Sequence, residues 1–153
     1  MTEEMLEKAR KNANDNGYTN VEFQKGDIEK RIPVEDNSAD LVISNCVINL
    51  TADKAATFKE IYRILKSGSG RMTISDLVTD KEVDRDSVNP DKWCSCIDGA
   101  LTKENYLDSI RKAGFKNVEV LEEKAYVDDQ GDNGDKDTRK RISSLLVKLL
   151  NSD

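Results

Sequence analysis

The chain has 153 residues, of which 37% are hydrophobic and 35% charged, and its net charge is −6. That length favours a single domain, and no basic stripe of the kind that binds nucleic acid stands out. No apolar run approaches the ~20 residues that a membrane span needs, and the first residues lack a signal-peptide pattern. We therefore expect a cytoplasmic protein without nucleic-acid or membrane partners.

Histidine is absent, and the three cysteines are Cys46, Cys94 and Cys96. The lack of histidine excludes Ser-His-Asp and Cys-His catalysis and most catalytic zinc sites. A structural disulfide is not expected in a reducing cytosol. Any chemistry must proceed without imidazole.

The first part of the chain predicts a helix followed by two strands. Thr2 can cap the helix, and Asn16-Gly17 can end it. One face of the helix carries Leu6, Ala9 and Ala13. A short strand is predicted over residues 21–24, ended by Gly26-Asp27. Residues 41–48 are apolar on both faces, which predicts a strand buried inside a parallel sheet.

The middle part predicts two further helices around one strand. Thr51 is expected to cap the second helix, and Thr102 the third. The second helix has an amphipathic stripe at helical spacing, made of Phe58, Ile61, Tyr62 and Leu65. The third helix should point Tyr106, Leu107 and Ile110 inward, with Gly114 just past its end. Residues 72–75, between these helices, predict a buried strand that is followed by Asp76.

The last part predicts a strand at Val118 and Val120 and a polar, mobile hairpin loop over residues 128–140. Residues 142–150 suit a strand or a short helix, since leucines recur there at helical spacing. Residues 1–126 would form the main body of one domain, and residues 127–153 would complete it. The element order predicts an α/β sheet that ends in an antiparallel hairpin.

Two sequence blocks are specific enough to suggest a family: Ser-Asn-Cys-Val-Ile-Asn-Leu at residues 44–50, and Trp-Cys-Ser-Cys-Ile-Asp-Gly-Ala-Leu at 93–101. Less diagnostic blocks lie at 26–29, 40–43, 58–66, 74–76 and 113–115. Together they resemble arsenite methyltransferases, a branch of the S-adenosylmethionine-dependent class I methyltransferases. The resemblance runs from residue 1 to about residue 125.

The chain also departs from that family. Nothing in it corresponds to the family's first two strands, its Gly-rich cofactor loop, its ribose-binding acid or its upstream cysteine. The usual Lys-Pro-Gly-Gly turn is one residue longer, at residues 66–70. The resemblance therefore implies a partial Rossmann-like methyltransferase sheet, and it leaves open whether this chain is an active enzyme.

By resemblance, Cys46 and Cys96 match cysteines that bind arsenite, and Cys94 would be an accessory thiol. Trp93 would either line the arsenic pocket or cover the core. Arsenic(III) is soft and prefers thiolate ligands. Cys46 falls at the carboxyl end of a strand, where open α/β sheets bind ligands. Two alternatives stay open. Cys46 could be a small buried hydrophobe, and the cysteines could bind zinc, although structural zinc normally takes four ligands.

The resemblance also implies three residues that would bind S-adenosylmethionine. Asp27 matches the acid that reaches the adenine amino group, Ile28 would flank the ring, and Asn45 lies on the cofactor side. Asp27 could equally be a solvated turn acid, and Asn45 a strand-end group that bonds local backbone.

The function implied is methyl transfer from S-adenosylmethionine to thiolate-bound arsenic(III). Arsenite or a thiol-bound arsenical would be the substrate. Without the family's first strand, the edge of strand 41–47 would be unpaired and could meet a separately encoded N-terminal piece or a second copy. The alternatives are a non-catalytic arsenite-binding or oligomerising remnant, a degraded gene fragment, and a methyltransferase for another small molecule.

Overall fold

The structure is a computed structural model that describes residues 2–82, 99–126 and 142–151. Three α-helices, four strands and one short 3₁₀ helix lie within those residues. In chain order they are α1 Glu3–Asp15, β1 Leu41–Asn45, the 3₁₀ helix Ile48–Leu50, α2 Lys54–Ile64, β2 Arg71–Thr79, α3 Lys103–Lys112, β3 Asn117–Tyr126 and β4 Ile142–Leu150. The loop predicted over residues 128–140 falls outside the described residues.

The four strands form one mixed sheet in the order β1-β2-β4-β3. β1 runs parallel to β2, while β4 lies antiparallel to both β2 and β3. The predicted α/β fold with a terminal antiparallel hairpin is confirmed. Residues 142–150 form a strand because β4 inserts between two others, which satisfies its backbone on both sides. Its alternate residues Leu145, Val147 and Leu149 are fully buried.

β1 is an edge strand within the described part of the chain, and one of its faces is exposed. The prediction of a strand buried on both faces is therefore wrong. Leu41 is 49% exposed and Ile43 73% exposed. The expectation of an unpaired apolar edge on this strand agrees with the structure. The strand predicted over residues 21–24 is absent too, and Val21 is half exposed. A strand needs a neighbour to pair its backbone, and no described strand lies beside these residues.

Helix α2 begins at a different residue from the one the sequence predicted. Asp53 is its N-cap, and the Asp53 side chain accepts a hydrogen bond from the backbone N–H of Ala56 at 2.9 Å. Thr51 instead ends the 3₁₀ helix and donates its hydroxyl to the carbonyl of Ile48 at 2.7 Å. An Asp at the cap also meets the positive end of the helix dipole, which a threonine cannot match.

The core lies between the sheet and helices α2 and α3. The predicted stripe of α2 is confirmed: Phe58, Ile61 and Leu65 are buried, and Tyr62 packs against them. Thr102 caps α3, as predicted, by accepting from the backbone N–H of Asn105. The inward residues predicted for α3 are all buried: Tyr106, Leu107 and Ile110.

Gly114 ends this helix with φ +116°, and the Tyr62 ring would lie 3.1 Å from any Cβ added there. Glycine is therefore required at this position by both backbone and packing.

Helix α1 is also capped as predicted, since Thr2 accepts from the backbone N–H of Met5. Leu6 and Ala13 are buried and Ala9 is half-buried. None of the described helices is long and apolar enough to cross a membrane.

One side chain of α2 holds the loop that leads into β1. Arg63 donates to the Glu60 carboxylate and to the backbone carbonyls of Ile32 and Val34. Its hydrogen bond to Glu60 holds the pKa of that carboxyl below its usual range. The guanidinium thus replaces the hydrogen bonds that a loop backbone would otherwise lack.

Candidate functional site

The carboxyl ends of the parallel strands β1 and β2 place Cys46 at the edge of the sheet. Asn45 is the last residue of β1 and pairs with Ser75 of β2. Cys46 follows directly and donates its backbone N–H to the carbonyl of Ser75 at 2.8 Å. Its φ is +52°, a left-handed conformation that costs a non-glycine residue about 1–2 kcal/mol. This conformation turns the chain out of the strand toward the 3₁₀ helix.

Asp76 lies inside β2, although the sequence suggested that the strand would end before it. It shares the inward face with Met72, Ile74 and Val78, and it is only 1% exposed. Its Oδ2 accepts the Tyr106 hydroxyl hydrogen at 2.7 Å. Its Oδ1 is buried and has no hydrogen-bond partner within the described part of the chain.

The surroundings of Asp76 shift its ionisation. Burial raises the pKa of its carboxyl to about 6, while the hydrogen bond from Tyr106 and the positive charge of Lys54 act in the opposite direction. The pKa of Tyr106 is raised well above its usual value by burial, then by the Asp76 charge and hydrogen bond, and finally by Cys46. Tyr106 therefore interacts electrostatically with both Asp76 and Cys46.

Two more polar residues join this cluster from the segment after Cys46. Lys54 is 6% exposed and donates its ammonium to the carbonyls of Thr51 at 3.0 Å and Asn49 at 3.4 Å. Asn49 is fully buried, and its Nδ2 donates to the carbonyl of Leu77 at 2.8 Å. These bonds fix the 3₁₀ helix against β2 and hold the polar groups in place.

This cluster is not predicted from the sequence. The sequence places Asp76 after the strand and Tyr106 on the inward face of a helix. The available signal was the alternation through β2, which puts a carboxylate on the same face as Met72 and Ile74. Buried carboxylates are uncommon unless they are paired, so an acid at an inward strand position is a candidate functional residue.

The predicted arsenic ligands are only partly described. Cys46 is half-buried at the carboxyl end of β1, at the position predicted, and is not a fully buried packing residue. Cys94, Cys96 and Trp93 lie outside the described residues, so the convergence of Cys46 and Cys96 stays a prediction. Among residues 2–82, 99–126 and 142–151, no group of three His, Cys, Asp or Glu side chains could hold a metal ion.

The predicted cofactor residues lie in different local settings. Asp27 is exposed, and its carboxylate accepts from the backbone N–H of Glu29 and pairs with Lys30, each at 3.1 Å. The hydrogen bond from Lys30, followed by that from Glu29, holds the pKa of Asp27 below its usual value. Asp27 therefore has the contacts of a turn acid and does not end a strand. Its neighbour Ile28 is half-buried.

Asn45 is exposed at the end of β1. It alternates with Val42 and Ser44, so it lies on the same side of the strand as Leu41 and Ile43. Its amide is accessible at the carboxyl edge of the sheet, next to Cys46.

Comparison with known proteins gives sequence relatives that include arsenite methyltransferases. The chain is 42% identical over 121 residues to an arsenite methyltransferase of Halobacterium salinarum, a match that covers 78% of this chain. It is 38% identical over 100 residues to the human arsenite methyltransferase, which covers 63% of this chain. The chain spans 30% and 26% of the length of these two relatives.

Solved structures agree with the fold. An arsenic(III) S-adenosylmethionine methyltransferase from Chlamydomonas reinhardtii superposes with a TM-score of 0.80 and 35% identity, covering 97% of this chain and 52% of that one. A Bacillus halodurans protein described as a putative methyltransferase has a TM-score of 0.70 at 19% identity, covering 100% of this chain and 81% of that one, and it shows the fold alone.

The methyltransferase-domain family model matches residues 1–122, which is most of the chain. That match includes β1, β2, the buried cluster around Asp76 and the first part of the hairpin strand β3. The chain therefore belongs to the methyltransferase-domain family.

Proposed function

We propose that this chain supplies the arsenic-binding part of an arsenite methyltransferase, which transfers a methyl group from S-adenosylmethionine to thiolate-bound arsenic(III). The observation that carries the proposal is the position of Cys46, half-buried at the carboxyl end of a parallel strand. Ligands of open α/β sheets bind at that edge. The 42% identity to an arsenite methyltransferase supports arsenite as the substrate bound by this thiol.

The chemistry suits the residues present. Arsenic(III) is soft and prefers sulfur ligands, and a thiolate-bound arsenic keeps a lone pair that can accept a methyl group. Such a transfer depends on positioning and exclusion of water more than on a general base, so the absence of histidine is no obstacle. Cys46 would bind the arsenic, with Cys96 as the second thiolate and Cys94 as an accessory thiol.

Three residues suit S-adenosylmethionine, two of them on its adenine side. The Asp27 carboxylate is exposed and can accept a hydrogen bond from an exocyclic amine, and the apolar side chain of Ile28 is half-buried beside it. The exposed amide of Asn45 lies next to Cys46. When bound, S-adenosylmethionine supplies an electrophilic methyl group. The chain's own part is to hold the arsenic and orient the adenine.

The open edge of β1 supports a partner as part of the same proposal. The outer backbone groups of this strand have no neighbouring strand within the described residues, and Leu41 and Ile43 are exposed beside them. Strand addition would pair that backbone and bury both side chains. A separately encoded N-terminal piece or a second copy of this chain could supply the strand.

The test is a calorimetric titration of the full chain with arsenite, with a phosphine as reductant so that no added thiol competes for arsenic. We expect Cys46→Ser and Cys96→Ser each to weaken arsenite binding at least tenfold, because oxygen is a poor ligand for a soft centre. Cys94→Ser, which removes only the accessory thiol, should change affinity less than threefold. Unchanged binding in Cys46→Ser would contradict the proposed site.

Methyl transfer is measured separately, by chromatography of the arsenicals formed with S-adenosylmethionine. Methylated arsenic from the unmodified chain, and none from Cys46→Ser, is the result expected of an enzyme. Thiol-dependent arsenite binding without any methylated product would favour the alternative, a non-catalytic arsenite-binding protein.

A further inference from the structure

One oxygen of a charged side chain is buried without a hydrogen-bond partner within the described residues. Oδ1 of Asp76 is buried and lacks a hydrogen-bond partner in the described part of the chain, while Oδ2 is bonded to Tyr106. Burying a carboxylate oxygen without a partner is costly, and an apolar side chain of similar size would fill the same space without that cost. An acceptor kept under these conditions points to a ligand that donates to it.

Strand pairing and Tyr106 link Asp76 to Cys46. Asn45, the last residue of β1, pairs with Ser75, so Cys46 and Asp76 are the residues that follow this pair on the two chain segments. The backbone bond from Cys46 to Ser75 at 2.8 Å fixes that register. Tyr106, which donates to Asp76, also interacts electrostatically with Cys46. Cys46 and Asp76 are therefore connected through the strand pair and through Tyr106.

The carboxylate is held rigidly, so that Oδ1 is its one remaining acceptor. Tyr106 donates to Oδ2 at 2.7 Å, and its ring packs edge-on against Phe58 with centroids 5.6 Å apart. Both rings are fully buried. A group fixed in this way loses little entropy when it binds a ligand, which is how preorganised sites gain affinity.

Arsenic bound to Cys46 carries the matching donor. When the Cys46 thiol reacts with arsenous acid, an As–S bond forms, an As–O bond breaks, and the thiol proton leaves with the hydroxide as water. The product, a thiolate-bound As(OH)₂ group, retains two hydroxyls. A second thiol would remove one of them, and the last hydroxyl would remain as a hydrogen-bond donor.

We propose that Asp76 is a second binding residue for thiolate-bound arsenic(III): its Oδ1 accepts a hydrogen bond from the hydroxyl that arsenic retains after it bonds to Cys46. This inference rests on the proposed function, because it takes Cys46 as an arsenic ligand. It adds a specificity, since the site would prefer hydroxylated arsenic over arsenic whose other ligands are methyl groups.

The experiment compares two arsenicals on the full chain. Arsenous acid keeps at least one hydroxyl after binding, whereas dimethylarsinous acid keeps none once its single hydroxyl has left as water. We expect the isosteric Asp76→Asn variant to bind arsenous acid roughly tenfold more weakly, which is the typical effect of losing a charged acceptor. Binding of dimethylarsinous acid should change less than twofold. Equal weakening of both, or no weakening of either, would overturn the proposal.

A second variant covers the case in which Asp76→Asn does not fold. Tyr106→Phe removes only the hydroxyl that orients the carboxylate, and we expect a roughly threefold loss for arsenous acid with dimethylarsinous acid unchanged. Unaltered binding of arsenous acid in that variant would overturn the proposal.

Cys46→Ser separates the two hypotheses. If the Cys46→Ser variant still binds arsenous acid while Asp76→Asn does not, Cys46 is not an arsenic ligand. Asp76 would then contribute to a different arsenite-binding site. If the unmodified chain binds no arsenous acid, both proposals fail.

Discussion

Asp76 is a carboxyl group held among apolar side chains in the middle of a strand. The groups that act on it or pair with it are Tyr106 from α3, Lys54 from α2 and the apolar Leu145 opposite it on β4. Cys46, after β1, acts on Tyr106. Burial dominates, so the protonated form is favoured and the pKa rises to about 6. A raised carboxyl pKa means that the folded state holds the proton more tightly than the unfolded chain.

The sign of the resulting pH dependence follows directly. The stabilising effect of the bound proton is complete below the ordinary pKa of 3.8 and is lost as the pH rises through about 6. We expect the stability of the unmodified chain, relative to Asp76→Asn, to fall by about 2 kcal/mol between pH 4.5 and 7.5. Urea denaturation of the unmodified chain and of Asp76→Asn, both at micromolar concentration, measures this difference. The other acidic residues are the same in both proteins, so their contributions cancel.

Tyr106→Phe provides the control for that measurement. The phenol hydrogen bond lowers the pKa of Asp76, so its removal should raise that pKa further and move the loss of stability to higher pH. A stability difference between the unmodified chain and Asp76→Asn that did not vary with pH would show that the carboxyl is hydrated.

At the scale of elements, the end of β1 depends on a single backbone conformation. Cys46 has φ +52°, which glycine adopts readily and other residues adopt at a cost. Ser44, two residues earlier, is an ordinary strand residue that pairs with Ile74. The same pair of substitutions should therefore have opposite effects at these two neighbouring positions.

We expect Cys46→Gly to be about 1 kcal/mol more stable than Cys46→Ala, because both lack the thiol and only glycine relieves the left-handed strain. At Ser44 the order should reverse, with Ser44→Gly about 0.5–1 kcal/mol less stable than Ser44→Ala. Chemical denaturation of the four variants tests this. The same order at both positions would mean that Cys46 relaxes without strain.

At the scale of the whole molecule, the described part of the sheet has an open edge and a partly uncovered face. Helices α2 and α3 pack on one face, while Leu41 and Ile43 point away from that core on β1. An exposed apolar edge is prone to pair with another chain, and natural edges usually carry charges that prevent it. β1 has no charged residue between Leu41 and Asn45.

We expect Ile43→Lys to reduce self-association, since a lysine on the edge opposes strand pairing. Ile43 is 73% exposed, so stability should change by less than about 0.5 kcal/mol. Val21→Lys is the matched control, because Val21 is also exposed but lies outside any strand. Sedimentation velocity over a range of concentrations makes the comparison. A chain that stays monomeric at every concentration, or a Val21→Lys variant with the same effect, would contradict this role of the edge.

Elements whose signals are local could be predicted from the amino-acid order. Helix caps at Thr2 and Thr102, the stripe on α2 and the stop at Gly114 were all predicted correctly, because capping and helical periodicity act over a few residues. The cap of α2 was misplaced by two residues, since Thr51 and Asp53 both suit a cap and only the preceding 3₁₀ helix decides between them.

Only the tertiary structure decided which strands have neighbours and which polar groups meet. The neighbours of β1 and of β4 in the sheet are strands from distant parts of the chain. Apolar patterns alone therefore could not show that β1 is an edge or that β4 lies between β2 and β3. Cys46 was predicted from a sequence block. The hydrogen bond between Asp76 and Tyr106, which are 30 residues apart, and the interaction of Tyr106 with Cys46 were not predicted, because strand register and helix packing create them.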